Sequence, residues 1–422
     1  MNQVDIPRLC AVVDAQGTGR FLPAALAEYG TGCVHVRSAN PDIHIPIDQH
    51  GIALEVRHAG NLDQTAAALR ELGVDHVIAG AESGVELADL LARRLGVPGN
   101  GMQNPQARRN KHEMVKAVRR AGLASIAAYA SGRTEDVIAW ANIRDRWPVV
   151  LKPTESAGAD NVFFCFSENE ISNACARILA DTDRYGRRNR VVLAEEFIDG
   201  EEYYVNTVTR NRTHHVSEIW HYHKKWDNNR IVYDYEHPVP ADKAEAAAVG
   251  EYTLAVLDAL EIHNGAAHTE VMNTARGPVL VECGARLCGS LLPSVVSRCF
   301  GTNHVELTAL SIARPHEFLR FAGEPYRLGT HVRYVSLINP RRGAVPGDAA
   351  CAQIRALPSF AEMALTRPAG TVLPRTVDML TSPGFVYLMS DDPRQVRDDY
   401  RLLRDLEQGA LYDTANVAGG VK

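Results

Sequence analysis

The chain has 422 residues, which at roughly 100–200 residues per domain corresponds to two to four structural units. Apolar residues make up 45% of the chain and charged residues 23%, so a disordered or fibrous protein is excluded. The formal net charge is -6, which argues against nucleic-acid and membrane partners because both carry negative charge.

The first residues argue against a secretory signal. Asp5 and Arg8 stand where such a signal needs an unbroken apolar core, and no later run approaches the roughly 18 apolar residues of a membrane span. We therefore expect a cytoplasmic protein. The eight cysteines are scattered and form no C-x-x-C pair, so we expect free buried thiols.

The first quarter of the chain alternates short apolar strands with helices. We predict strands at 8–14, 33–37 and 75–80 and helices at 21–29, 62–72 and 83–95. This alternation predicts an open parallel α/β domain over residues 1–105. Gly17 and Gly19 resemble the start of a dinucleotide fingerprint, but the third glycine is missing, so an ordinary turn is favoured.

A polar, proline-containing stretch at 99–110 marks the first predicted boundary. In the next lobe we predict a helix from Lys111, strands at 148–153, 162–166 and 191–197, and a helix at 168–180. In the third we predict strands at 203–209, 266–272 and 278–283 and a helix at 242–261. The predicted domains are the N-terminal domain 1–105, a small α+β lobe 106–200, a larger α+β lobe 201–330 and a C-terminal subdomain 331–422 with a terminal helix near 393–407.

The segment 148–162 combines an apolar strand that carries Lys152 with a loop containing Ser156, Ala157 and Gly158. Small residues let backbone N–H groups approach a polyphosphate, and the lysine supplies a point charge to its oxygens. Taken alone, this pattern also fits a solvated surface turn.

The segment 194–205, AEEFIDGEEYYV, joins an apolar strand to two acidic pairs. Its backbone can hydrogen-bond an adenine edge, and a carboxylate just beyond the turn can accept from ribose hydroxyls. A charged hairpin is the other interpretation of the same letters.

The segment 268–290 contains two strand-like stretches with Glu270 on one and Glu282 on the other. Antiparallel pairing would bring these carboxylates together, which is costly unless a cation lies between them. Mg²⁺ suits a few carboxylates combined with substrate phosphates, and Arg286 would face the same site. The alternative is an exposed hairpin, but V-L-V-E-C-G is too apolar for a fully solvated strand.

In their order, these pieces together with Lys111 resemble the ATP-grasp superfamily of carboxylate–amine ligases, over most of the chain. The resemblance implies an ATP-grasp fold in the α/β class, with an N-terminal open parallel α/β domain, a small α+β lid lobe and a larger α+β lobe. It also implies ATP and Mg²⁺ as cofactors.

The resemblance implies a nucleotide-binding set of Lys111, Lys152, Ser156, Ala157, Gly158, Glu195, Glu196, Phe197, Ile198 and Glu202. By this resemblance the two lysines contact the phosphates of the nucleotide, residues 195–198 form the adenine hinge and Glu202 binds the ribose. Glu270 and Glu282 are the implied metal ligands. Arg286 is the implied catalytic residue, which stabilises an acyl phosphate.

One departure from the family pattern narrows the resemblance. Many members carry E-x-N-x-R at the second metal ligand, whereas this chain has Glu282-Cys283-Gly284-Ala285-Arg286. This variant is similar to bacterial L-amino-acid ligases that make dipeptides. It implies an enzyme that joins the carboxylate of an L-amino acid to the amine of a second one through an acyl phosphate, releasing ADP and phosphate.

Other functions stay open at this point. The chain could be an ATP-grasp ligase for a non-amino-acid carboxylate, a biotin-carboxylase-like enzyme or a non-catalytic nucleotide-binding regulator. A biotin carboxylase would show a glycine-crowded phosphate loop and the Asn ligand. The partners we expect are small-molecule amino acids, and a homodimer is the commonest assembly. The sequence does not identify the two substrates.

Four further residues are predicted to contact substrate. Gly289 and Ser290 follow the presumed reaction centre and could shape an amino-acid pocket, while His331 and Arg333 could bind a carboxylate. The histidine-rich stretch 214–225 places His221 and His223 on one face of a strand. A strand that lines the substrate pocket or contacts phosphate fits better than a metal site, because no carboxylate or cysteine partner lies at an obvious spacing. A purely structural role is favoured over both.

Overall fold

The computed structural model describes residues 8–39, 50–156, 160–183, 185–227 and 230–413. The first region is a four-stranded parallel sheet in the order β3-β2-β1-β4. Its elements are β1 (Leu9–Val13), α1 (Leu22–Glu28), β2 (Gly32–Arg37), β3 (Ile52–Arg57), α2 (Leu62–Glu71), β4 (Val74–Ala79) and α3 (Val85–Leu95). The predicted open parallel α/β domain is confirmed. Strand β3 has no counterpart in the sequence prediction because it is a largely exposed edge strand without an apolar run.

The second region is a four-stranded antiparallel sheet in the order β5-β8-β6-β7 with two helices packed on it. Helix α4 (Lys111–Arg120) precedes this sheet. The elements of the region are β5 (Ala128–Ser131), α5 (Thr134–Arg144), β6 (Val149–Pro153), β7 (Phe163–Cys165), α6 (Glu168–Ala180) and β8 (Val192–Glu196). We call this region the small lobe. Its core is formed by buried residues of β6, α6 and β8, including Leu151, Ile171 and Val192.

The third region is an eight-stranded sheet in the order β13-β12-β9-β10-β11-β14-β18-β16. Its first elements are β9 (Glu201–Arg210), β10 (Thr213–Asp227), β11 (Arg230–Pro238), α7 (Ala244–Ala259), β12 (Gly265–Thr274), β13 (Gly277–Gly284), α8 (Pro293–Phe300), α9 (His304–Ala313) and α10 (Pro315–Phe321). The C-terminal elements are β14 (His331–Ser336), β15 (Gly343–Ala344), α11 (Asp348–Arg355), β16 (Phe360–Leu365), β17 (Val372–Leu373), β18 (Gly384–Ser390) and α12 (Pro393–Gln408). Strands β15 and β17 form a separate pair.

Strand β14 pairs with β11, so the large sheet continues across residue 330. The domain boundaries at 105, 200 and 330 stay predictions. Short 3₁₀ turns occupy Gly17–Phe21, Glu82–Gly84 and Pro105–Arg108. None of the helices in the described part of the chain is long and apolar enough to cross a membrane. All eight cysteines are free and buried.

The large sheet has two differently covered faces, because side chains alternate along each strand. On the front face, Tyr204 and Trp220 pack with Tyr334 and with apolar residues of α8. On the back face, Tyr203 and Ile219 pack with residues of α7. The small lobe lies over the β12–β9–β10–β11 part of the front face, and a cavity of about 400 Å³ separates the two sheets.

Candidate active site

The cavity is lined by charged side chains from both sheets. Among them are Lys152, Glu195, Glu202, Lys224 and Glu282, and Lys111 reaches the cavity from the start of helix α4. Glu270 lies in the same wall, on β12. Charged groups are seldom placed in a concave site unless they pair with one another or await a charged ligand.

The two acidic residues on β12 and β13 face each other as the sequence predicts. Glu270 and Glu282 are directly paired in the antiparallel register. A tight turn sets this register: Gly277 has φ +100, and the Thr274 hydroxyl donates to the Gly277 carbonyl at 2.9 Å. The register then slips by one residue, and this β-bulge turns both Val281 and Glu282 toward the cavity.

The Glu270 carboxylate is held in its charged form. Burial raises its pKa, but the hydrogen bond from His268 and the charges of Lys224 and Arg286 outweigh burial and lower the pKa to about 2. The Tyr222 hydroxyl also donates to Glu270, at 3.4 Å. Two opposed carboxylates supply the oxygen donors that Mg²⁺ prefers, so this part of the cavity fits that ion.

The two predicted lysines come from different elements, and each pairs with a glutamate of the cavity. Lys111 begins helix α4, where the Asn110 side chain caps the helix by accepting from His112 and Glu113 N–H groups. Its Nζ lies 2.9 Å from Glu282 Oε1 and also donates to the Ser156 carbonyl.

Lys152 comes from strand β6, and its Nζ lies 2.7 Å from Glu195 Oε2. Burial lowers the pKa of Lys152, but Glu195 and then Glu282 and Glu270 outweigh burial and raise it. The other oxygen of Glu195 is buried and has no hydrogen-bond partner among the described residues. A fixed ammonium beside an unsatisfied carboxylate oxygen is therefore ready to receive a polar ligand.

The outer end of the cavity is apolar and aromatic. Phe197 and Ile198 line it together with Phe164 of β7. Trp226 packs edge-on against Phe164 at 5.0 Å between ring centroids and against Phe197 at 6.0 Å. A flat heteroaromatic ring fits such a pocket by stacking. The neighbouring Glu196 is occupied, because it accepts from Ala127 N–H and pairs with Arg144.

Glu202 faces the cavity paired with a residue that the sequence analysis did not select. Lys224 Nζ lies 2.6 Å from Glu202 Oε1 and sits 4.7 Å and 4.4 Å from the ring centroids of Tyr222 and Tyr233. Burial lowers the pKa of Lys224, but the effects of Glu202, Tyr233 and Glu270 outweigh burial and raise the pKa, so the ammonium stays charged. The cavity thus has a third fixed cation beside Lys111 and Lys152.

Arg286 is positioned by a carboxylate from the N-terminal sheet region. Its Nε lies 2.9 Å from Glu82 Oε2, and Arg109 contacts the other oxygen of the same carboxylate. Burial raises the pKa of Glu82, but Arg109 and Arg286 outweigh it and lower the pKa to about 2. The guanidinium is therefore clamped from behind while its charge acts on Glu270 and Glu282.

Gly284 explains why this clamp can form. A Cβ at Gly284 would lie 2.9 Å from Glu82 Oε2 and 3.2 Å from Arg286 Cζ. The chain therefore has a glycine where the E-x-N-x-R pattern has Asn because the Glu82 carboxylate occupies that space.

A buried polar chain extends behind the acidic pair. His268 Nδ1 and the Asn206 side-chain oxygen lie 2.8 Å apart, and Asn206 Nδ2 donates to Glu218 Oε1 at 2.6 Å. Burial raises the pKa of Glu218 to about 7, since its hydrogen bonds from Asn206 and Ser217 offset only part of the desolvation. This series of hydrogen bonds fixes the His268 ring next to Glu270.

The predicted site residues do not all meet at the cavity. Ser156 lines it and donates to Asp160 at 2.6 Å, whereas Ala157 and Gly158 lie outside the described residues. Gly289 is exposed, and Ser290 hydrogen-bonds Tyr334 near the front-face core.

His331 and Arg333 are not brought to the cavity. Both side chains lie on the back face of the sheet at β14. The Arg333 Cζ lies 4.2 Å from the ring centroid of Tyr235 and 5.0 Å from that of Tyr400. Residues that sequence reasoning missed do reach the site: Glu82, Arg109, Lys224, Tyr233, His268 and Asp378. Glu82, Tyr233 and Asp378 are distant from the motifs in sequence, whereas Arg109 and His268 lie only two residues from Lys111 and Glu270. The pattern of alternate charged and aromatic residues in β10 hinted at Lys224.

The chain is similar in sequence to known proteins. A family model described as an ATP-grasp domain matches residues 145–294. Dapdiamide A synthase of Enterobacter agglomerans is 32% identical over 414 residues, which is 96% of this chain and 97% of that protein.

Solved structures share the fold. The L-amino acid ligase from Bacillus licheniformis superposes with a TM-score of 0.74 at 18% identity, covering 94% of this chain and 97% of that one. N5-carboxyaminoimidazole synthetase from Staphylococcus aureus, solved with ADP, superposes with a TM-score of 0.68 at 12% identity, covering 96% and 100%.

Proposed function

The chain belongs to the ATP-grasp family of ATP-dependent carboxylate–amine ligases, and on that premise we propose that it joins the carboxylate of one amino acid to the amine of a second. The names of two similar proteins, a dapdiamide synthase and an L-amino acid ligase, support the substrate class. The observation that carries the proposal is the cavity itself. It combines three fixed cations, two opposed carboxylates and an apolar end between the two sheets.

In this proposal the nucleotide lies along the cavity. The adenine occupies the apolar end beside Phe197 and Ile198, and Glu202 accepts from the ribose. Lys111 and Lys152 leave their carboxylate partners to bind phosphate oxygens. Glu270 and Glu282 hold Mg²⁺, which when bound neutralises phosphate charge.

The first chemical step forms an acyl phosphate. A carboxylate oxygen of the first substrate bonds to the γ-phosphorus as the bond to the β-phosphate oxygen breaks, and ADP leaves. Negative charge spreads over the transferring oxygens in this step. In this proposal Arg286, clamped by Glu82, stabilises that charge without rearrangement, and Lys152 does so after it leaves Glu195.

The second step forms the amide. The amine of the second substrate attacks the acyl carbon, the bond to the phosphate oxygen breaks, and phosphate leaves while the nitrogen gives up its proton. Arg286 stabilises both the tetrahedral intermediate and the leaving phosphate. The small lobe excludes water that would otherwise hydrolyse the acyl phosphate, and so yields peptide rather than waste.

The wider setting of the enzyme is part of the proposal. Eight free buried cysteines suit the reducing cytoplasm, and a net charge of -6 gives no attraction to nucleic acid or anionic lipid. We propose that the protein acts there on free amino acids with Mg²⁺, as a homodimer, and that its lobes divide at 105, 200 and 330.

The test measures ADP and phosphate release from ATP and Mg²⁺ with the twenty amino acids, singly and in pairs, followed by mass analysis. We expect release that depends on amino acids and a product with the mass of two residues joined with loss of water. Glu282→Gln, prepared identically, controls for contaminating ATPases. If no amino acid stimulates release above that control, the amino-acid assignment is wrong and other carboxylates and amines become the substrates to test.

A further inference from the structure

Three histidines lie together on the back face of the large sheet, away from the cavity. His221 and His223 belong to β10 and His237 to β11, and the pairing sets His221 opposite His237. One ring nitrogen from each can be chosen so that all three lie within 4.8 Å of one another. We call these residues the histidine cluster.

The cluster is separated from the active site by the sheet itself. Tyr222 and Lys224 alternate with His221 and His223 along β10 and point to the front, where they contact Glu270 and Glu202. The histidines therefore take no part in the contacts that build the cavity. Nothing in the proposed ligase mechanism uses them.

The ring geometry is close to that of a metal site. His223 Nε2 and His237 Nδ1 lie 3.1 Å apart. Two nitrogens bound to one tetrahedral zinc at about 2.1 Å each would lie roughly 3.4 Å apart, so this pair is already near the required spacing. The three chosen nitrogens lie within 4.8 Å of one another, and ring rotation must bring the third one closer. Histidines two residues apart on one strand, with a third on the paired strand, present three nitrogens toward one point.

Neighbouring aromatic rings hold the histidines in place. Tyr203 stacks on His221 at 4.5 Å between centroids, and Tyr235 stacks on His223 at 4.2 Å. All three histidines are half-buried, so solvent and a metal ion reach them. Ligands fixed by packing lose little conformational entropy when they bind an ion.

The cluster also has the protonation state that metal binding requires. Burial lowers the pKa of His223 to about 4 and that of His237 to about 3, with Arg333 adding to both shifts. The rings are thus neutral at pH 7 and keep a free electron pair each. Glu201 acts against burial at His221, and at His223 its effect is smaller than that of Arg333.

We propose that His221, His223 and His237 bind one divalent transition-metal ion, with Zn²⁺ as the best match, and leave a fourth position to water. Three neutral imidazoles select zinc, copper or nickel over magnesium. The bound ion ties β10 to β11 directly behind Tyr222, Lys224 and Tyr233. It therefore stiffens the part of the sheet that forms one wall of the cavity.

The test is zinc titration of the full-length, chelator-treated protein by calorimetry. The background carries Glu270→Gln and Glu282→Gln, which remove the front-face carboxylates as competing ligands. We expect one zinc per chain, and we expect His223→Gln or His237→Gln to weaken binding at least tenfold, since loss of even an outer-shell partner costs about 10–100-fold. His316→Gln, a change at an exposed histidine far from the cluster, should leave binding unchanged.

A second readout guards against variants that merely fold poorly. X-ray absorption of the zinc-loaded protein should show nitrogen ligands at about 2.0–2.1 Å, and zinc should raise the melting temperature of the parent but not of the His237→Gln protein. Absence of stoichiometric binding, or binding that the His223 and His237 changes leave intact, overturns the proposal.

Discussion

The two faces of the β10–β11 strand pair carry opposite kinds of chemistry. On the front, Lys224 lies 2.6 Å from Glu202 and stays charged because a carboxylate accompanies it into the buried site. On the back, His223 and His237 have no such partner at ion-pair distance among the described residues, and burial keeps them neutral. Residues adjacent in sequence thus differ in charge state because neighbouring side chains point to opposite sides.

The difference shows what decides whether a buried ionisable group is charged. Burial alone removes charge, and an opposite charge within a few ångströms restores it. Glu270 and Glu218 repeat the contrast on the front face itself. The pKa of Glu270 is lowered to about 2 by His268 and nearby cations, whereas that of Glu218, bonded mainly to neutral groups, is raised to about 7.

Removing a front-face carboxylate should have the largest effect. Glu282→Gln keeps the shape of the side chain but removes a metal ligand and the partner of Lys111. We expect ATP turnover to fall by roughly 10³-fold or more, because charge neutralisation at the phosphates is lost. Steady-state release of ADP measures this. A rate near that of the parent would remove the magnesium assignment.

Replacing Arg286 should have the next largest effect. Arg286→Ala should lower kcat by roughly 10²–10³-fold with little change in the KM for ATP, since the guanidinium acts on the reacting group rather than on the nucleotide. Arg286→Lys keeps the charge but loses the fixed geometry against Glu82, and should recover only part of the rate. If kcat is unchanged in Arg286→Ala, Arg286 has a structural role only.

The raised pKa of Glu218 predicts how the stability of the protein depends on pH. Its pKa is about 7 in the folded chain, against 4.5 for a glutamate exposed to water, so the folded state binds more protons between these values. The contribution of Glu218 to the free energy of unfolding is fully present below pH 4.5 and is lost as the pH rises to 7. The total loss is about 3 kcal/mol.

Glu218→Gln should therefore flatten the fall in denaturation midpoint between about pH 5 and pH 7.5. The two proteins are compared in urea at both pH values, with the parent losing more stability. Equal slopes would mean that Glu218 is already ionised at the lower pH.

The back face should give the smallest effect on the reaction. With Mg²⁺ present and no zinc added, His223→Gln and His237→Gln should leave ATP turnover within about twofold of the parent, because most substitutions away from a site leave its contacts intact. The same assay with Lys224→Met, the adjacent front-face residue, provides the contrast and should show a raised KM for ATP. A large loss of turnover in the histidine variants would show that the two faces are not independent.

Local patterns in the sequence were enough for the parts of the site that neighbouring residues create. The turn after Thr274 fixes the register of β12 and β13, so the sequence alone predicted that Glu270 and Glu282 face each other. Helix α4 begins at Lys111 as predicted, and strand β6 spans nearly its predicted range, which placed Lys111 and Lys152.

Long-range contacts could not be predicted in this way. Glu82 reaches Arg286 across 204 residues, and no periodicity reports such a contact. The side to which His331 and Arg333 point depends on how β14 pairs with β11, and one residue of register decides it. His237 was missed as a third histidine because it lies on the partner strand and not in the histidine-rich stretch.

Gly284 has a consequence for the genetics of this site. The side chains at positions 82 and 284 compete for one volume, since a Cβ at 284 would lie 2.9 Å from Glu82 Oε2. Gly284→Asn should be harmful alone yet tolerated beside a shortened residue 82, so the two positions should show strong sign epistasis. A variant library that changes them one at a time would miss double variants in which a shorter residue 82 makes room for a side chain at 284.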